Sequence, residues 1–180
     1  LVGSEMCIRD SQYSVLYDFY GPEFPREEFY ALKDKLFAEY VEQNGVPLKK
    51  GTIELLEYLK NSGRKVAIAS SSRRHIVENH LKQHDMVKYF DVIVGGDMIE
   101  KSKPAPDIYL KACELLGVAP RDCYAVEDSY NGLISASDAG LKPVMVPDML
   151  PYNDEIAPKV YLKFDSLLDF RDYLKKEQGL

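Results

Sequence analysis

The chain has 180 residues and carries 29 acidic against 23 basic side chains, for a net charge of −6, which argues against a broad phosphate-tracking surface for nucleic acid. Its composition, 46% hydrophobic and 29% charged, is that of a globular protein with one core and an appendage; no apolar run reaches the ~18 residues that would span a bilayer, and the N-terminus does not resemble a secretory signal. Three cysteines, Cys7, Cys113 and Cys123, none in a C-x-x-C pair, point to a reducing, cytoplasmic setting with neither a disulfide framework nor a zinc site.

Residues 1–11, LVGSEMCIRDS, show neither strand alternation nor a helical period and read as a non-native leader. Met6 to Ser11 resembles the in-frame translation of a transposon end used to prepare sequencing libraries; the plain alternative is a frayed native N-terminus. Tyr13, Leu16, Tyr17 and Tyr20 then fall on one helical face, and Phe29, Leu32, Leu36, Phe37 and Tyr40 form a second stripe after Pro25. Stripes of this kind are expected to be core, so residues 12–46 are predicted to be two packed helices ending at Asn44-Gly45 and Pro47.

From residue 47 onward the texture is that of an α/β core. The spacing predicts a helix from Thr52 to Asn61, a strand from Lys65 to Ala69, a turn at Ser70-Ser71-Ser72 and a helix from Arg73 to about His84. A strand from Asp91 to Val94 follows, then Gly95-Gly96, a loop through Lys103-Pro104-Ala105-Pro106 and a helix from Asp107 to Leu116. A strand from Cys123 to Val126, a helix from Asn131 to Ala139, a strand from Pro143 to Val146, a short strand near Val160 and a helix from Ser166 complete the chain. Strands alternating with helices at this spacing predict a doubly wound parallel sheet, in which ligands bind at the carboxyl ends of the strands.

Three candidate groups fall at those ends. Ser70, directly after a strand, offers a hydroxyl that could hold a phosphoryl oxygen together with the backbone N–H of Ser71 at a helix start; a serine turn capping the helix is the plain alternative. Lys103, on a loop stiffened by two prolines, could pair with a phosphate and a carboxylate, whereas an arbitrary loop lysine is solvated. Glu127 and Asp128 are adjacent carboxylates whose mutual repulsion favours a hard cation such as Mg²⁺; taken alone, the pair reads more readily as a solvated Glu127 beside a helix capped by Asp128 or Ser129.

Taken in order, these groups and the stretches KPAPDIY and VEDSYNGLISASDAG resemble the haloacid dehalogenase superfamily of phosphoryl-transfer enzymes, in the branch of β-phosphoglucomutases and sugar-phosphate phosphatases with an α-helical cap. The resemblance runs from about Gln12 to the C-terminus and makes residues 12–46 part of a cap and 47–180 the core. In that family a first-strand aspartate attacks phosphorus, and a second aspartate two residues on is the general acid and base. The resemblance implies that Ser70 binds the phosphoryl oxygen, that Lys103 orients nucleophile and phosphate, and that Glu127 and Asp128 hold Mg²⁺. One departure is large: no Asp-x-Asp-Gly-Thr segment precedes the cap, since Asp10 and Asp18 lack the second aspartate and a preceding apolar strand. The chain is therefore expected to be a fragment whose nucleophile strand is missing, inactive as it stands, with a gap between the strands leading to Ser70 and Asp128.

Weaker signals remain. Arg73 and Arg74 could touch a second phosphate or substrate hydroxyls, with Arg74 the better placed, or simply be solvated in a first helical turn. His80 and His84 share a helical face but lack the H-E-x-x-H pattern and a third ligand. Neither a Walker loop, nor a dinucleotide fingerprint, nor a G-x-S-x-G elbow is present. The expected function is Mg²⁺-dependent transfer of phosphate from a small phosphorylated metabolite, without nucleic-acid or membrane partners and with oligomeric state open. The alternative is a non-catalytic α/β module that binds phosphate or a protein.

Overall fold

The computed structural model describes residues 19–21, 23–45 and 47–177. The leader and Tyr13, Leu16 and Tyr17 of the first stripe lie outside the described residues. Helix α1 (Arg26–Asn44) starts after Pro25 and ends at Gly45, whose φ of 72° suits a residue without a Cβ. Its apolar stripe is not packed as the sequence predicts. Tyr30 and Val41 are buried, but Phe29, Leu32, Leu36 and Tyr40 are exposed. Periodicity fixes which side chains share a face, and that face is covered only where a second element reaches it.

The core begins at α2 (Thr52–Asn61). Two parallel sheets follow instead of one. In the first, β1 (Ala67–Ala69) pairs with β2 (Val92–Val94), Ala67 opposite Val92 and Ala69 opposite Val94. In the second, β3 (Tyr124–Glu127) pairs with β4 (Lys142–Met145), and β4 pairs with β5 (Leu162–Lys163). The helices between them are α3 (Arg74–Gln83), α4 (Asp107–Leu116), α5 (Tyr130–Asp138) and, after β5, α6 (Leu167–Glu177). Among the described residues no ladder joins β1 to β3, so the edge of each that faces away from β2 or β4 is unpaired.

Helices hold the halves together across this break. Alternation along β1 sends Ala67 and Ala69 into a cluster with Ile108, Ala112, Ala125 and Ala136, so α4 packs on strands of both sheets. Ile68, between them, joins Leu56, Val77, Leu81 and Met86 in a second cluster. Leu55, beside Leu56 on α2, belongs instead to a third, with Val144, Val146, Leu167 and Phe170. One helix on each side thus ties the two sheets together and leaves a slot between their inner edges. A cavity of about 510 Å³ opens there, lined by Ala67, Ile68 and Ala69 from β1 and by Tyr124, Ala125 and Val126 from β3. Val126, mid-strand and apolar, is 39% exposed. Among the described residues no helix is long and apolar enough to cross a membrane.

Candidate active site

The carboxyl ends of β1 and β3 deliver Ser70 and Asp128 to one rim of the slot, and Lys103 reaches the same rim from the loop before α4. Ser70 continues its strand: its N–H donates to the Val94 carbonyl at 3.0 Å, and its side chain is buried. The Ser70 hydroxyl oxygen accepts from the Ser72 N–H at 3.2 Å, which makes the predicted serine turn. A hydroxyl that accepts through oxygen still has its hydrogen to donate. Ser71 is buried beside it.

The turn then enters α3, whose start passes close to the Gly95-Gly96 loop. A Cβ at Gly95 would lie 2.3 Å from the Arg74 nitrogen, so only glycine lets the two backbones approach this closely. Asp97 caps the helix by accepting from the Arg74 N–H at 2.8 Å, and that bond holds its carboxyl below the usual range. The Arg74 guanidinium is spent on its own helix, 2.7 Å from Glu78 Oε1, and Arg73 is exposed. Neither arginine is brought onto the slot.

Lys103 is the most enclosed cation of the rim, its side chain 2% exposed. Its ammonium donates to the Ala69 carbonyl at 3.1 Å, to the Tyr109 hydroxyl at 3.4 Å and to Glu127 Oε1. Glu127 also accepts from the Tyr109 hydroxyl and, at 3.2 Å, from Ser129 Oγ. It lies against the first turn of α5, where a Cβ on Gly132 would fall 2.2 Å from its carboxylate. Burial alone would raise the Glu127 carboxyl, but the Lys103 charge and the three hydrogen bonds outweigh it and hold the group below its ordinary value. Ser129 also caps α5 by accepting from the Gly132 N–H at 3.1 Å.

Asp128 has different company. Lys49 Nζ stands 3.1 Å from Asp128 Oδ2 and 3.3 Å from Asp148 Oδ2. Among the described residues the two adjacent carboxylates therefore share no partner: Glu127 is locked into a buried lysine and tyrosine network, and Asp128 lies at the mouth of the slot beside Lys49. Lys49, Tyr109 and Asp148 were not singled out from the sequence. Tyr109 sits inside the KPAPDIY stretch, six residues after Lys103, but Lys49 meets Asp128 across 79 residues and no local signal announces it.

Two carboxylate oxygens converging on one ammonium are a hard, anionic donor set of the kind Mg²⁺ takes. Asp128 and Asp148 would supply part of its shell of about six oxygens, and Glu127 would hold the neighbouring charge in place. Among the described residues there is no cluster of three or more His, Cys, Asp or Glu side chains that could hold a metal alone. His80 and His84 line the cavity, and among the described residues they have no third ligand and His84 Nε2 is buried with no hydrogen-bond partner. Cys113 and Cys123 are free thiols with sulfurs 4.0 Å apart, and burial pushes the Cys113 thiol up to about 12.

Comparison with known proteins identifies the family. The family model described as haloacid dehalogenase-like hydrolase matches residues 6–146. The bifunctional riboflavin kinase/FMN phosphatase of Arabidopsis thaliana is 39% identical over 122 residues, 67% of this chain and 32% of that protein. The phosphorylated carbohydrates phosphatase of Thermotoga maritima is 36% identical over 112 residues, 62% of this chain and 50% of that protein. Among solved structures, CbbY from Rhodobacter sphaeroides in complex with phosphate superposes with a TM-score of 0.69 at 30% identity, over 83% of this chain and 68% of that one. The chain spans between 32% and 66% of the length of the curated relatives it matches first.

Proposed function

The chain belongs to the haloacid dehalogenase-like hydrolase family, and from that premise we propose that it carries the phosphate-binding and cation-holding parts of a Mg²⁺-dependent phosphatase of small phosphorylated metabolites, sugar phosphates foremost. The observation that carries this reading is the buried Lys103 ammonium, fixed between the Ala69 carbonyl and Glu127 at the rim of the slot between β1 and β3. Any carboxylate emerging from a strand seated between β1 and β3 would arrive beside that charge.

Each residue has a role in this scheme. Lys103 offsets the negative charge of an attacking carboxylate and an incoming phosphate, which would otherwise repel each other. The Ser70 hydroxyl donates to a phosphoryl oxygen, and its bond to the Ser72 N–H fixes the direction in which it can do so. Glu127 keeps Lys103 oriented, and Tyr109 and Ser129 keep Glu127 in place. Asp128, with Asp148, holds the divalent ion, which when bound neutralises charge on the transferring phosphoryl group. The family's nucleophilic aspartate belongs on the strand that fills the slot, and the Asp-x-Asp-Gly-Thr pattern is absent from the 180 residues. The sugar-phosphate class rests on the name of the Thermotoga relative.

Titration with inorganic phosphate in the presence of Mg²⁺, followed by ³¹P line broadening, tests the phosphate half of this reading without requiring turnover. Saturable broadening is expected for the parent chain and should be lost in both Ser70→Ala and Lys103→Ala. Broadening that is unchanged in both variants would contradict the assignment.

A further inference from the structure

Lys49 lies on the segment that joins α1 to α2, and its side chain ends in the mouth of the slot. Its root is fixed. The Lys49 carbonyl accepts from the Thr52 N–H at 3.1 Å and from Thr52 Oγ1 at 2.7 Å, and Thr52 is buried. Gly51 turns the chain with φ of 88°, and a Cβ there would meet the Leu168 side chain at 2.8 Å. The side chain above this anchor is 27% exposed, as is that of Asp128, so water can replace either partner when they separate. Lys103, the other cation of the rim, is taken up by Glu127, and among the described residues the ion pair of Asp128 is with Lys49.

We propose that Lys49 is a built-in substitute cation: it holds Asp128 and Asp148 together while no divalent ion is bound and must swing out before one can be held. The inference rests on the reading of Asp128 as a cation ligand. The two states exclude each other on geometry and charge. An ammonium between the two oxygens at 3.1 and 3.3 Å occupies the space that Mg²⁺ and its oxygen shell require. Two cations confined there would also repel. The consequence is a linkage: divalent-ion binding frees the Lys49 side chain, and with it a tie between the α1–α2 segment and the carboxyl end of β3. Lys49 is thus a positioning residue that sets metal affinity and need not touch substrate.

The test is Mn²⁺ titration of the 180-residue chain, read from the electron paramagnetic resonance signal of free Mn²⁺, with thermal melts by far-UV circular dichroism to establish that each variant is folded. Lys49→Met is expected to bind Mn²⁺ about tenfold more tightly than the parent, the scale of a partly exposed ion pair with two partners. Lys49→Gln, which keeps a polar end, should do the same, and Lys49→Arg, which keeps the charge, should stay near the parent. Saturable binding that is lost in Asp128→Asn but unchanged or weaker in both Lys49→Met and Lys49→Gln would overturn this proposal and leave the metal reading standing. An arginine variant as tight as the methionine one would also overturn it, since charge would not be the cause. No saturable binding to the parent or any variant would overturn both.

Discussion

Replacing Lys103 with methionine leaves a carboxylate in the interior without its counter-ion. Glu127 is 10% exposed and Lys103 2%, and removing one partner of so enclosed a pair costs about 3 to 5 kcal/mol. The Tyr109 and Ser129 hydrogen bonds survive the change and soften it, so the lower end, about 3 kcal/mol at pH 7, is expected. The sign of the pH dependence follows from the same contacts. In the parent the Glu127 carboxyl is held below its ordinary value of 4.5, so its stabilising contribution is complete above that value and is lost as pH falls through the folded-state value. In Lys103→Met the lysine charge is gone and burial prevails, so the carboxyl rises and the variant is relieved by protonation as pH falls. The difference between the two proteins should therefore shrink from pH 7 towards pH 4. Urea unfolding followed by far-UV circular dichroism measures it; with 13 tyrosines and no tryptophan, tyrosine emission is the second probe. A difference under about 1 kcal/mol at pH 7, the range of an exposed pair, or one that does not change with pH, would refute the buried-pair reasoning.

Gly132→Ala places a Cβ within 2.2 Å of the Glu127 carboxylate, so it should displace that carboxylate from Lys103 and cost about 1 to 3 kcal/mol of stability in the same urea assay; a variant as stable as the parent would show that Glu127 moves aside freely. Alkylation with iodoacetamide at pH 8, mapped by peptide mass spectrometry, should modify Cys123 before Cys113, because Cys113 is 4% exposed and its thiol is pushed up to about 12; faster reaction at Cys113 would contradict that environment.

Punctuation made some elements legible from residues alone. The helix predicted from Asp107 to Leu116 has those ends in the structure, because Gly117 takes φ of 65° directly after it. The helix predicted from Asn131 begins one residue earlier, at Tyr130, with Ser129 as its cap. Strands are trimmed at their ends, Lys65–Ala69 to Ala67–Ala69 and Pro143–Val146 shifted to Lys142–Met145, since alternation marks a strand better than it marks where the ladder stops. The stripe of α1 misled, because a period of 3.6 residues names a face without naming what covers it. At the site, Ser70, Lys103, Glu127 and Asp128 were visible as chemistry at strand ends. That Glu127 turns to Lys103 while Asp128 turns to Lys49 was not, because Glu127 is the last residue of β3 and Asp128 lies past it, where strand alternation no longer sets the direction of a side chain. Lys49 and Asp148 reach Asp128 only through the fold, from the segment before α2 and the loop after β4.

Hydrolysis of a phosphate ester by this fold is expected to need a carboxylate delivered into the slot between β1 and β3. The measurement is Mg²⁺-dependent release of phosphate from a panel of sugar phosphates, by the 180-residue chain and by the same chain preceded by an apolar strand segment bearing Asp-x-Asp-Gly-Thr. Release at background by the first and turnover by the second, abolished by Lys103→Ala or Asp128→Asn, is the expected result. Sustained Mg²⁺-dependent release by the 180-residue chain alone would contradict it.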